Sequence, residues 1–256
     1  MKVLSIVLPT FNEKANLQNF VEKVLSEQKQ LPEYQFELII ADSNSTDGTI
    51  AVAKKLAQQN KHIHFLSVGP GLGVALHDGH MYAIKHLHPD ILMQLDADGQ
   101  VEVSIIHGLV KIIEEGYTLA LGSRFITGGK NELSLSRRFF SKGSSYVCRL
   151  LMGPWDIKEF TNSSRAFTPQ LFQKINWNKL PWQQQTFILQ PAFLHGAILA
   201  GATYKEVPLV FKNRAKGYSK NKTVSYLIDV ISYALDVRLQ QWHIPLPLFA
   251  LVQKIK

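Results

Sequence analysis

Five short apolar runs separated by stretches of helical period constrain this chain more than any other feature. Residues 3–8 (VLSIVL), 36–41 (FELIIA), 63–68 (IHFLSV), 91–95 (ILMQL) and 118–122 (TLALG) are short and several are rich in β-branched residues, as expected of strands buried on both faces. Between them, residues 14–27, 47–59, 72–87 and 103–115 repeat apolar residues at helical spacing; Leu17, Phe20, Val21, Val24 and Leu25 mark the first. Strand alternating with helix predicts an α/β fold with a mostly parallel, doubly wound, Rossmann-like sheet. In such sheets ligands bind in the crevice outside the carboxyl ends of the strands.

Each predicted strand ends in a polar or glycine-rich cluster: PTFNE at 9–13, ADSNSTDGT at 41–49, GPGLG at 69–73, DADGQ at 96–100 and GSRF at 122–125. Past residue 125 the rhythm gives way to a basic helical stretch, a turn at Gly153 and Pro154, and a short run EVPLVF at 206–211. Residues 224–240 predict an amphipathic helix, with Val224, Leu227, Ile228, Ile231 and Leu235 on the apolar face and Ser225, Asp229, Ser232 and Asp236 opposite. We therefore expect one large unit over residues 1–220 and a helical extension over 221–256.

Length and composition agree: 256 residues, 46% hydrophobic and 19% charged, suffice for a single buried core. The net charge of +8 favours an anionic partner. The basic residues are scattered and no aromatic-and-basic recognition motif accompanies them, which argues against nucleic acid. The single cysteine, Cys148, cannot form an intramolecular disulfide and fits a reducing cytoplasm as a small core residue. No run reaches the roughly 18 apolar residues of a membrane span. The segment Trp242 to Lys256, apolar with interspersed lysines, could instead lie in a membrane interface or pack on the protein's own core.

Asp96 and Asp98 stand two apart directly after a strand, so both carboxylates can face one point. That arrangement suits Mg2+ or Mn2+, which use one or two carboxylates and fill the remaining positions with water and substrate phosphates. The same Asp-Ala-Asp-Gly could form a plain turn, and Gln100 is either a further oxygen ligand or a solvated loop residue. Asp42, at the mouth of the crevice, could accept hydrogen bonds from a base or ribose hydroxyl; Ser45, Thr46 and Asp47 read as helix caps. Gly71 and Gly73 open a helix where amides can approach an anion, or simply make a turn. Arg124 follows the fifth strand on the edge that carries the aspartates. His77, His80, His86 and His88 read as surface or cap residues.

Taken in order, PTFNE, DSNSTDGT, GLGVA with Gly79, LDADGQ, GSRF and EVPLVF followed by Arg214 and GYSK (217–220) resemble the family 2 glycosyltransferases of GT-A fold, and within them the dolichol- or polyprenol-phosphate sugar synthases. The resemblance implies that Pro9, Glu13 and Asp42 line a nucleotide pocket and that Asp96, Asp98 and Gln100 hold the metal. It further implies that Arg124 and Arg138 bind an acceptor phosphate while Arg214 and Lys220 engage the sugar diphosphate. The donor it implies is GDP-mannose, with UDP-glucose next. Departures occur at Ser43, at Glu159 to Arg165, where a glycine and a phenylalanine are absent, and at Ala192, where a glutamate is usual.

A hydroxyl acceptor, with a pKa of ~15, needs a positioned base, and no late Glu-Asp or Asp-Asp pair occurs here. A phosphate monoester is already anionic at neutral pH, so the sequence favours a lipid phosphate as acceptor. Asp156 or Glu159 acting as base toward a sugar hydroxyl, as in polysaccharide synthesis, is the alternative. A nucleotidyltransferase should carry a glycine-rich, arginine-containing loop after the first strand, and PTFNE is not that loop.

Overall fold

A computed structural model describes residues 1–183, 187–213, 223–242 and 247–255, without the side chains of 223, 224 and 255. The strands are β1 (Lys2–Thr10), β2 (Tyr34–Asp42), β3 (Ile63–Ser67), β4 (Ile91–Gln94), β5 (Leu119–Ser123), β6 (Lys130–Asn131), β7 (Arg165–Phe167), β8 (Tyr204–Pro208) and β9 (Val210–Phe211). The helices are α1 (Lys14–Glu27), α2 (Thr49–Gln59), α3 (Leu72–His86), α4 (Ile105–Glu114), α5 (Leu135–Met152), α6 (Pro169–Lys174), α7 (Leu189–Leu199), α8 (Thr223–Gln241) and α9 (Leu248–Ile255). The five expected strands are β1 to β5, and their polar endings share one edge of the sheet.

Seven strands form the sheet in the order β3-β2-β1-β4-β7-β5-β8. All neighbours run parallel except β7, which is antiparallel to both β4 and β5. This reversal was not legible in the sequence, because β7 is only Arg-Ala-Phe. It has a large consequence: the residues that lead into β7 emerge at the carboxyl ends of β4 and β5. The EVPLVF run divides into β8, which closes the sheet beside β5, and β9, which pairs with β6.

One core packs under α1, α2 and α4 and centres on Leu4, Ile6, Leu8, Phe36, Leu38 and Leu109. The other, beneath α3 and the α5–α8 layer, centres on Val7, Ile39, Leu121, Phe160, Phe167 and Phe172. Cys148 is buried in the second core, as expected. His80 also lies there, 1% exposed, which corrects its reading as a surface or cap residue. Its ring meets Phe167 and Phe172 with centroids 4.9 and 5.3 Å away. His86 and His88 are exposed.

Burial pushes the His80 imidazole down to about 3. Between that value and the ordinary ~6.5 the unfolded chain carries the extra proton, so this site removes stability as pH falls, by ~1.4 kcal/mol per pH unit. Urea unfolding at pH 7 and pH 5 should show His80→Phe losing about 2 kcal/mol less than the wild type over that interval. Equal losses would place the imidazole in water.

The polar side of α8 is the one turned inward. Asp229, Ser232 and Asp236 are buried beside Val230, Tyr233, Ala234 and Val237, whereas Ile228 and Ile231 are 44% and 36% exposed. The buried carboxylates have a reason to be inside. Asp236 accepts from the amides of Leu248 (2.6 Å) and Phe249 (2.8 Å), satisfying donors at the start of α9. Asp229 accepts from Gln253 Nε2 at 2.7 Å. Phe249 is buried against Tyr233, so this part of the tail packs on the protein's own core; Trp242 and Leu251 stay exposed. Ile244 and Leu246 lie outside the described residues.

Candidate active site

The first two strand ends are knitted together by hydrogen bonds between their loops. Asn12 N donates to Ser45 Oγ (2.8 Å) and Thr46 N to Asn12 Oδ1 (2.9 Å). Glu13 N donates to Thr49 Oγ1 (2.9 Å) and Lys14 N to Asp47 Oδ2 (3.1 Å). Ser45 and Thr46 thus join loops rather than cap α2, whose N-cap position is Gly48. Asp47, one residue earlier, accepts from Thr49 N at 3.0 Å.

Asp42 sits beneath this lattice, fully buried. Its Oδ2 accepts from Thr10 Oγ1 (2.8 Å) and Ser45 Oγ (2.6 Å), and its Oδ1 from Ser45 N (2.8 Å). The expected contact of Asp42 with a nucleotide is therefore corrected: its carboxylate is engaged in shaping the loops, and Ser43, Pro9 and Glu13 line the cleft instead.

That cleft, about 480 Å3, runs along the strand ends. Pro9, Phe11, Glu13, Ser43 and Gly71 form one half; Asp96, Asp98 and Gln100 stand at its middle. Asp96 accepts from Ser163 Oγ. Asp98 Oδ1 accepts from Gln100 N at 3.0 Å, closing a turn in which Gly99 takes φ +73°. Gln100 Nε2 donates to the carbonyl of Lys212 at 3.1 Å, tying the turn to the segment after β9. Two carboxylates and an amide on one wall form an all-oxygen donor set that fits a hard divalent cation better than a soft one.

Gly71 precedes α3 at its N-cap with φ +118° and lines the cleft. Gly73 does not, which corrects its reading as an anion contact. A Cβ there would stand 2.0 Å from the carbonyl oxygen of Trp182, so the glycine admits that backbone. His77 stacks on the Trp182 ring at 3.9 Å and pairs with Asp78 at 2.8 Å, a structural role.

The far half of the cleft is built by Arg124, Leu133, Arg137, Phe140, Ser144, Thr161, Asn162, Ser163, Gln190 and Tyr226. Arg124 makes a two-pronged ion pair with Glu159, Nε to Oε2 at 2.7 Å and Nη2 to Oε1 at 2.8 Å, and Nη2 also donates to Thr161 Oγ1 at 3.1 Å. Burial works to lower the Arg124 pKa, but the charge and hydrogen bonds of Glu159 outweigh it and hold the guanidinium above its ordinary value. Glu159 is thus the buried counter-ion of Arg124, which corrects its reading as a base. Asp156, the other candidate base, lies off the cleft and accepts from Tyr204 OH at 2.9 Å.

Arg138 points away from the cleft, exposed, with Nε donating to the carbonyl of Leu133 at 2.8 Å; its neighbour Arg137 lines the wall. Arg137, not Arg138, is therefore the arginine of this pair that the cleft contacts. Arg137, Ser141 and Ser144 share the cleft-facing side of α5 at helical spacing, a signal the sequence did contain. Ser163 and Gln190 were not singled out in the sequence; Ser163 meets Asp96 because β7 is inserted next to β4, and Gln190 meets Gln94. Ala192 is buried within α7. Arg214 and Lys220 lie outside the described residues.

The family described as "Glycosyl transferase family 2" matches residues 5–188. The polyprenol monophosphomannose synthase of Mycolicibacterium smegmatis is 29% identical over 219 residues, 84% of this chain and 79% of that protein. The dolichol-phosphate mannosyltransferase of Pyrococcus furiosus is 28% identical over 246 residues, 94% of this chain but only 64% of that longer protein. Among solved structures, glucosyl-3-phosphoglycerate synthase from Mycobacterium tuberculosis, in complex with Mn2+, UDP and glucosyl-3-phosphoglycerate, aligns with TM-score 0.62 at 19% identity, covering 93% of this chain and 80% of that one. Mannosyl-3-phosphoglycerate synthase from Rubrobacter xylanophilus aligns with TM-score 0.63 at 17% identity, covering 95% and 75%. At such identities the structural likeness speaks to the fold.

Proposed function

The chain belongs to glycosyl transferase family 2 and is a glycosyltransferase, and from that premise we propose that it moves a hexose from a nucleotide-sugar to a polyprenyl phosphate with inversion. The observation that carries this reading is the division of the cleft. Among the described residues the carboxylates that line it are Glu13, Asp96 and Asp98, while the far wall carries Arg124, whose charge Glu159 balances from behind, and Arg137, which brings the positive charge there. An anionic acceptor needs positive charge there and no base.

In this reading Pro9, Glu13, Ser43 and Gly71 form the nucleoside end. Asp96, Asp98 and Gln100 would hold Mg2+ or Mn2+, which when bound neutralises charge on the departing diphosphate. Arg137 and Arg124 orient the acceptor phosphate, whose oxygen attacks the anomeric carbon while its C–O bond to the diphosphate breaks. The ion pair with Glu159 keeps the Arg124 side chain in one orientation, so no reorganisation is needed as charge moves. GDP-mannose is the favoured donor, in line with the named relatives, and UDP-glucose the next.

Screening nucleotide-sugars for manganese-dependent transfer to a polyprenyl phosphate tests this. Product lipid from one donor supports the reading and names the donor. Donor hydrolysis without lipid product overturns the acceptor assignment and directs attention to sugar hydroxyls.

We also place the enzyme at a membrane surface. No helix among the described residues is long and apolar enough to cross a bilayer. Instead α5 carries Leu135, Phe139, Tyr146 and Leu150 in one exposed stripe with Lys142, and packs against α8 with its exposed Ile228 and Ile231. A helix that shows water an apolar stripe edged by cations suits the headgroup boundary of an anionic bilayer. Flotation with vesicles containing phosphatidylglycerol should fall by about tenfold for Phe139→Asp/Ile231→Asp, as two apolar anchors are lost and two charges opposed. Unchanged flotation would remove this face from the interface.

A further inference from the structure

Gln190 lines the cleft and carries a buried hydrogen-bond donor, and the direction of its amide is set by a chain of contacts that starts at a backbone carbonyl. Gln190 opens α7, is 3% exposed and lines the far half of the cleft beside Ser163. Its Nε2 is buried without a hydrogen-bond partner among the described residues. A buried amide hydrogen left unsatisfied costs stability, so such groups in native proteins need an explanation.

The orientation of this amide follows from its neighbours. The carbonyl of Ser163 can only accept, so the atom of Gln94 that lies 2.8 Å from it must be Nε2. That nitrogen also lies 3.2 Å from Gln190, and two amide nitrogens would not face each other, so Gln190 turns its Oε1 toward Gln94. Its NH2 group is then turned away from Gln94, a donor with no partner among the described residues on a side chain that lines the cleft. Gln94, itself buried, is not part of the cleft wall.

We propose that Gln190 is a specificity-determining residue that donates a hydrogen bond to an oxygen of the transferred sugar, with Gln94 acting through it as a positioning residue. The location supports the sugar over the nucleotide. Ser163, whose carbonyl holds Gln94, also donates its hydroxyl to Asp96, so the amide lies next to the carboxylates and on their far side from Pro9 and Ser43. With a diphosphate at Asp96 and Asp98 and a nucleoside toward Ser43, the sugar is the donor fragment that extends to Gln190. This inference rests on the nucleotide-sugar reading above.

The test compares GDP and GDP-mannose, and UDP and UDP-glucose, by calorimetry with Mn2+ on the full chain. In Gln190→Leu the sugar nucleotide that the wild type binds should weaken by about 5- to 10-fold, as for one lost hydrogen bond, while the matching nucleoside diphosphate alone changes less than twofold. Gln94→Leu, which frees the Gln190 amide to turn, should reduce the same discrimination although it lies off the cleft. Gln190→Glu keeps an acceptor for Gln94 and removes the donor from the cleft; it serves as the second variant should leucine disturb folding, and should show the same selective loss. Equal weakening of diphosphate and sugar nucleotide, or no weakening of either, overturns the proposal. A wild type that binds the diphosphate but gains nothing from any attached sugar also overturns it. If the wild type binds none of the four, the nucleotide-sugar reading itself fails.

Discussion

Asp98→Asn will leave the protein folded and lower sugar transfer by on the order of 10^3-fold. The asparagine has nearly the shape of aspartate and its Oδ1 can still accept from Gln100 N, the bond that closes the turn at Gly99. What it lacks is charge at the centre of the cleft. In the proposed mechanism that charge acts on a cation held against a departing diphosphate. Removing one preorganised electrostatic group from a comparable site typically costs 10^2–10^3-fold, and weaker cation binding adds to it. Initial rates should be measured over a manganese titration, with the thermal midpoint as the control for folding. A wild-type rate in Asp98→Asn would sink the assignment of Asp96, Asp98 and Gln100 as the cation site.

The second large effect concerns Arg124 and Glu159, whose side chains are 6% and 1% exposed. Glu159→Leu alone strands a guanidinium in the interior and should destabilise the protein by about 3–5 kcal/mol, the usual cost of breaking a buried pair from one side. Arg124→Met combined with Glu159→Leu removes both charges and should recover most of that loss, because a buried pair can often be replaced by apolar groups at little cost. Denaturant unfolding of the wild type, the single variant and the double variant measures this. Transfer in the double variant then separates two roles. If Arg124 faces the acceptor phosphate, the refolded double variant should still be slower by ~10^2-fold. Full activity in it would reduce the pair to a strut.

Sequence reading located the strand ends because each feature there is local: a β-branched run followed by its polar ending. Asp96, Asp98, Gln100 and Arg124 were legible in this way, Pro9 and Glu13 through the family resemblance, and all line the cleft. Features that depend on distant partners were not legible. Glu159 sits 35 residues from Arg124, and nothing local marks it as a counter-ion. Asp42 looked available until Thr10 and Ser45 were seen to satisfy it. Which face of α8 packs inward was not legible, because periodicity separates polar from apolar residues without saying which side meets the protein. Asp236 is buried because the start of α9 needs acceptors, a demand that belongs to another helix.

The lone reversed strand also divides the chain's heritable information. Everything on the Pro9 and Ser43 side of the cleft is encoded before residue 101, in an uninterrupted parallel winding. Nearly all of the opposite wall comes from the excursion between β5 and β7, together with Gln190. Mutation can therefore remodel one reactant's berth while the other is inherited unchanged, so lineages built on this plan can diversify in what they modify without relearning what they spend.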